Sequence, residues 1–131
     1  MYLLAPKTMQ YRENLDFEIS FFENLLEKRP DFAAALIALG DAYTKKGRFQ
    51  DGLKVDQRLT QLRPEDEVVQ YNLACDYSLL HEADLCLQAL KGALTLGYEE
   101  FSFMDKDPDL EFIRNDPRYR ALVSQYYKGK K

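Results

Sequence analysis

Apolar residues in the middle of the chain recur at helical spacing, and turn residues interrupt them at regular intervals. Residues 32–46 and 49–62 each place large apolar side chains three and four positions apart, which is typical of one buried helix face. Asp31 precedes the first stretch and is predicted to cap its helix. Gly47 separates the two stretches and favours a helix end. Pro64 closes the second stretch, because the residue before a proline disfavours helical angles. The pattern predicts two helices joined by a tight turn.

The same double pattern returns 34 residues later, over residues 65–80 and 83–96. A fixed period of this kind is typical of stacked copies of one helix pair, in which each copy buries its apolar face on the next. The matched positions are Pro30 with Pro64, Leu39 with Leu73, Tyr43 with Tyr77, Leu53 with Leu87, and Leu62 with Leu96.

Both ends of the chain depart from this period. Residues 8–28 predict one helix whose apolar arc is widened by Phe17 and Phe21, so either residues 2–4 or a second subunit is expected to cover it. Near the other end, Asp107-Pro108 and Asp116-Pro117 each have the form of a helix N-cap followed by proline at the first helical position. They predict a short helix and a final helix that caps the stack.

These residues resemble the tetratricopeptide repeat family, and the tail resembles the end-of-group form found at the C-terminus of many bacterial proteins. The resemblance implies an all-α fold of antiparallel helix pairs, forming a short right-handed α-solenoid with a C-terminal capping helix. It implies one domain over residues 1–131, with a partial repeat at 8–32, repeats at 33–66 and 67–100, and a tail at 101–131. The first full copy carries Leu39, Gly40, Tyr43, Gly47, Gly52, Leu59 and Pro64, and the second carries Leu73, Ala74, Tyr77, Cys86 and Ala93.

Composition points away from several classes of function. The 18 basic and 22 acidic residues give a formal charge of −4, and the basic cluster Lys128, Lys130 and Lys131 resembles a solubilising tail more than a nucleic-acid site. No phosphate-binding glycine motif occurs, and the single histidine, His81, falls in a predicted turn. Two cysteines without a CxxC motif fit a reducing compartment. We expect a cytoplasmic, non-enzymatic protein with no membrane span, cofactor or metal.

The resemblance implies a concave groove lined by the first helix of each pair. Its positions carry over to Ile37, Asp41, Thr44 and Lys45 in one copy and to Tyr71, Cys75 and Ser78 in the next. The predicted function is binding a peptide or helix of another protein there, as an adaptor, chaperone or assembly factor. The alternatives are that residues 101–113 cover the groove in the second copy, at Val68 and Leu79, or that the protein is a structural module that forms homo-oligomers through Phe17 and Phe21.

Overall fold

A computed structural model describes residues 4–127, and the side chains of residue 11 and residues 14–127. The predicted all-α class is confirmed, since these residues form helices and no strand. Residues 2 and 3, offered above as a cover, and the terminal lysine cluster lie outside the described part. The helices are α1 (Leu4–Lys28), α2 (Ala33–Lys46), α3 (Phe49–Leu62), α4 (Glu67–Leu79), α5 (Ala83–Thr95), α6 (Phe101–Lys106), α7 (Glu111–Arg114) and α8 (Pro117–Tyr126), with a 3₁₀ turn at Pro108–Leu110.

The chain divides into two compact units, of which unit 1 ends at Leu62. In unit 1, α1 packs on α2 and α2 packs on α3, so that Leu15 and Ile19 of α1 are buried. The first helix begins four residues earlier than the predicted Thr8 and includes Pro6. A proline is tolerated in the first turn because the amide there has no partner within the helix.

Helix α2 ends as the sequence predicts but begins differently. Gly47 adopts a left-handed φ of 86°, and its amide bonds back to the last helical turn, as a C-terminal glycine should. Asp31, however, does not cap the helix: the N-cap is Phe32, which forms no side-chain capping bond. The Asp31 carboxylate pairs with Arg58 of α3 instead.

Unit 2 begins at Arg63 and contains the second helix pair, α4 and α5, with the tail packed on it. The 3₁₀ turn and α7 lie on α4, and α8 lies on α5. The predicted caps are confirmed, because Asp107 accepts the amide of Asp109 and Asp116 accepts the amide of Arg118. The six-residue helix α6 was not predicted, because it is too short to show a period.

The core of unit 2 draws on every element of the tail. Met104, Leu110, Ile113 and Tyr119 are almost wholly buried against the α4–α5 pair. Such burial stabilises a fold by about 2 kcal/mol for each large apolar side chain. The tail is therefore an integral part of this unit.

Candidate functional site

The four site residues predicted on the first repeat lie along one exposed face of α2, which we call the α2 stripe. Ile37 is 43 % exposed. Asp41 and Lys45 form an ion pair of 2.9 Å, and the hydroxyl of Thr44 donates to the Gly40 carbonyl at 3.1 Å. The Asp41 carboxylate, by hydrogen bond and charge, raises the pKa of Lys45. The α2 stripe thus offers one apolar side chain beside a pair of compensated charges.

The three site residues predicted on the second repeat lie inside the protein. Tyr71, Cys75 and Ser78 are buried on α4, and none exposes more than 6 % of its surface. The face of α4 that carries Tyr71 and Cys75 is packed against the 3₁₀ turn, and α7 also contacts α4. This is the arrangement in which part of the segment 101–113 covers these positions, so they have almost no surface to offer a partner.

A buried carboxylate holds this covered face together. The Tyr71 hydroxyl donates to Oδ2 of Asp107 at 2.6 Å, and the Cys75 thiol donates to the same oxygen at 3.7 Å. The other oxygen of Asp107 accepts the Asp109 amide at 3.0 Å. One side chain therefore caps the 3₁₀ turn and binds it to α4.

The surroundings keep both donors of this cluster protonated. Burial, followed by the neighbouring Cys75 and Asp107, raises the pKa of Tyr71 well above its ordinary value. Burial and the charge of Asp107 likewise raise the pKa of Cys75. A thiol held as a donor in this way is a poor nucleophile, because the thiolate is the reactive form.

The same cluster has the spacing of a metal site. Ligand atoms of Cys75, Asp107 and Asp109 lie within 4.8 Å of one another. Both oxygens of Asp107 already accept hydrogen bonds, and a metal would require Cys75 as the thiolate that burial disfavours. We interpret the group as a helix cap and hydrogen-bond cluster.

Beside the covered face, unit 2 presents two exposed apolar side chains. Val68 lies one turn before Tyr71 on α4 and is 50 % exposed, so the alternative in which residues 101–113 cover it is wrong for this residue. Phe103 of α6 is 53 % exposed. The ring centroid of Phe103 is 6.2 Å from that of Tyr71, and Tyr98 stacks on Tyr71 at 4.2 Å with an interplanar angle of 7°. We call this surface the Val68–Phe103 patch. Sequence reasoning missed Phe103, because α6 shows no periodic signal.

The two residues predicted for self-association lie on the outside of α1. Phe17 is 69 % exposed and Phe21 is 51 % exposed. Their rings stack on each other with centroids 6.2 Å apart. The structure therefore leaves both rings accessible.

His81, the single histidine, lies in the turn between α4 and α5. It adopts a left-handed φ of 60° and is exposed. Its ring stacks on Phe112 of α7 at 4.2 Å with an interplanar angle of 7°. This contact gives the histidine a packing role between the helix pair and the tail.

Two further findings concern the class of protein. Among the residues that the structure describes, no helix combines the length and the apolar character that crossing a membrane requires. No family model matches the chain.

One known protein resembles much of the sequence. A chloroplastic protein from Arabidopsis thaliana is 34 % identical over 90 residues, which cover 66 % of this chain and 27 % of that protein. The chain thus spans about a quarter of the length of the relative it matches.

Proposed function

We propose that this protein is a non-catalytic binding module of the tetratricopeptide repeat type, which holds a segment of another protein as an adaptor, chaperone or assembly factor. Two features support the repeat assignment: the 34-residue match of turn and apolar positions, and the pairing of α2 with α3 and of α4 with α5. Repeats of this kind present helix faces to partners, so the exposed apolar side chains on them are the natural contacts.

The observation that carries the proposal is the Val68–Phe103 patch. Two half-exposed apolar side chains border a tyrosine ring, and that ring is fixed by its stacking on Tyr98 and by its hydrogen bond to Asp107. Val68 and Phe103 are the accessible contacts, and the buried Tyr71 ring is a rigid support next to them. Apolar side chains held in place in this way suit an apolar anchor residue of a partner, because little side-chain entropy is lost on binding.

Unit 1 supplies its own contact in this proposal, through the α2 stripe. Ile37 offers an apolar contact, and Asp41 and Lys45 offer hydrogen-bonding groups of both signs. The partner segment that fits the α2 stripe is a short helix or extended peptide with an apolar residue for Ile37 and polar residues for Asp41 and Lys45.

The proposal also includes the cellular compartment of the protein. Cys75 and Cys86 are free and buried, which fits the reducing, cytoplasmic compartment predicted from the sequence. The plant relative is named as chloroplastic. Imaging a tagged full-length chain in its own cell would decide between these compartments.

The patch can be tested by comparing partner capture by the wild type and two variants. We expect Val68→Ser with Phe103→Ser to lose a protein that the wild type captures from a lysate of the source cell. Leu85→Ser is the matched control, because Leu85 is also in unit 2 and is 43 % exposed. A peptide from the captured protein should then bind the wild type and the control alike in calorimetry, and the double variant at least about tenfold more weakly. Equal binding by all three chains would contradict the proposal.

A further inference from the structure

The outer face of α1 carries a short uncharged stripe. Asn14, Phe17, Phe21 and Asn24 are all exposed and fall within about a quarter of the helix circumference. Leu15 and Ile19, which are buried, lie on the opposite side towards α2. We call the four exposed residues the outer stripe.

The outer stripe reads the same in both directions. Its residues are spaced three, four and three apart, in the order Asn, Phe, Phe, Asn, and the midpoint is Ile19. A twofold axis between two identical copies brings residue i of one copy to residue j of the other and residue j to residue i, so a stripe with this symmetric order places like residues opposite each other.

We propose that α1 binds α1 of a second copy, antiparallel, about a twofold axis that meets the outer stripe midway between Phe17 and Phe21. In this register Phe17 of one copy meets Phe21 of the other, and Asn14 meets Asn24. The stacked pair Phe17–Phe21 of each copy then joins its equivalent in a cluster of four rings. The two asparagine amides each have a donor and an acceptor, so they satisfy each other at both ends of the cluster.

The charges on α1 are compatible with a second copy of the chain as the partner of the outer stripe. Asp16 pairs with Lys46 of α2, and Glu23 accepts the hydroxyl of Tyr43, so these two acids of α1 are bound on the α2 side. The outer stripe itself carries no charge that a second copy would repel. A polar asparagine pair beside apolar contacts also favours one register over its neighbours.

The small size of the outer stripe indicates a weak association. Two phenylalanines and two asparagines per copy are fewer residues than a standard interface of about 20–30 residues a side. We therefore expect a reversible dimer that dissociates on dilution, rather than an obligate one.

Sedimentation equilibrium over a wide concentration range tests the association. We expect the wild type to dimerise and Phe17→Ala to weaken the dimer at least about tenfold. Phe103→Ala is the matched control, since Phe103 is 53 % exposed but lies in unit 2, and it should dimerise as the wild type does. Far-ultraviolet circular dichroism of each variant verifies folding. A wild type that stays monomeric at high concentration overturns the proposal and leaves the stripe to a different partner.

The register is tested by crosslinking with a short bis-maleimide. We expect a mixture of Asn14→Cys and Asn24→Cys chains to form 14–24 links several times more often than 14–14 or 24–24 links. Cys75 and Cys86 interfere little, because both are buried and burial raises the pKa of each. A majority of like-with-like links would overturn the antiparallel arrangement. Partner capture through the Val68–Phe103 patch should be unchanged in Phe17→Ala, so the two proposals fail separately.

Discussion

Helices α2 and α4 occupy the same place in successive sequence repeats but differ in exposure. Ile37 on α2 is 43 % exposed, whereas Tyr71, 34 residues later, is 3 % exposed. Asp41 is exposed and paired with Lys45, while its equivalent, Cys75, is buried against Asp107. The repeat position alone therefore does not decide whether a side chain is available to a partner.

The difference in exposure arises from the tail that follows the second helix pair. The tail of unit 2 packs the 3₁₀ turn and α7 against α4, and α4 carries a tyrosine, a cysteine and a serine where α2 carries isoleucine, aspartate and threonine. Asp107 arrives with the tail and supplies the acceptor that the buried Tyr71 hydroxyl requires. The buried residues on α4 and the cap residue of the tail therefore depend on each other.

Removing Asp107 should have the largest effect on the buried contacts that distinguish α4 from α2. Asp107→Ala deletes the cap of the 3₁₀ turn and leaves the Tyr71 hydroxyl buried without its acceptor. We expect unit 2 to lose about 3 kcal/mol of unfolding free energy, measured by urea denaturation. A further Tyr71→Phe change on this background should cost less than the same change in the wild type, since the hydrogen bond is already gone.

Asp116→Ala is the control for that experiment. Asp116 also caps a helix beside a proline, but its side chain is partly exposed and binds no buried hydroxyl. Its loss should cost about 1 kcal/mol. Equal costs for the two aspartates would show that the contact with Tyr71 contributes nothing beyond the cap.

Much of this fold follows from the sequence, because its helices are long and periodic. The bounds of α3 agree with the prediction, and those of α4 and α5 differ from it by two residues or fewer. Gly47, Asp107 and Asp116 act as the turn and cap chemistry predicts. Asp31 was wrong as a cap, because an arginine of another helix competes for its carboxylate. A long-range ion pair leaves no local signal.

The candidate surface was harder to predict than the fold. The α2 stripe has polar and apolar residues at the exposed positions that the repeat implies. Phe103 lies on a helix of six residues, too short for a periodic pattern, and its place beside Tyr71 depends on how the tail folds back. Only the contact between segments more than 30 residues apart reveals the Val68–Phe103 patch.

Alkaline pH should lower the stability of unit 2, because the buried thiol of Cys86 then loses its proton. Burial raises the pKa of Cys86 to about 12 from an ordinary 9.0, so the folded state binds this proton more tightly than the unfolded chain does. The resulting stability is complete below about pH 9 and is lost as the pH rises towards 12, reaching a loss of about 2 kcal/mol near pH 10.5.

Cys86→Ala isolates this contribution, because alanine does not titrate. At neutral pH the variant should be less stable than the wild type, since the thiol fills a fully buried position. The gap between the two proteins should narrow by about 2 kcal/mol between about pH 8 and about pH 10.5, as followed by urea denaturation. A gap that stays constant with pH would mean that Cys86 does not remain protonated in the fold.

The smallest effects are expected at the equivalent turns, where Gly47 in unit 1 corresponds to His81 in unit 2. Both adopt positive φ, 86° and 60°, a region that costs a non-glycine residue about 1 kcal/mol. Gly47→Ala should therefore destabilise the protein by about 1 kcal/mol. His81→Gly removes the same strain but also the stacking on Phe112, so the two changes should nearly cancel, whereas His81→Ala keeps the strain and loses the ring, at a cost of about 1 kcal/mol. If His81→Gly instead proves clearly stabilising in thermal unfolding, the ring adds nothing to the packing of the tail, and the covered face of α4 is held by Asp107 and the apolar core alone.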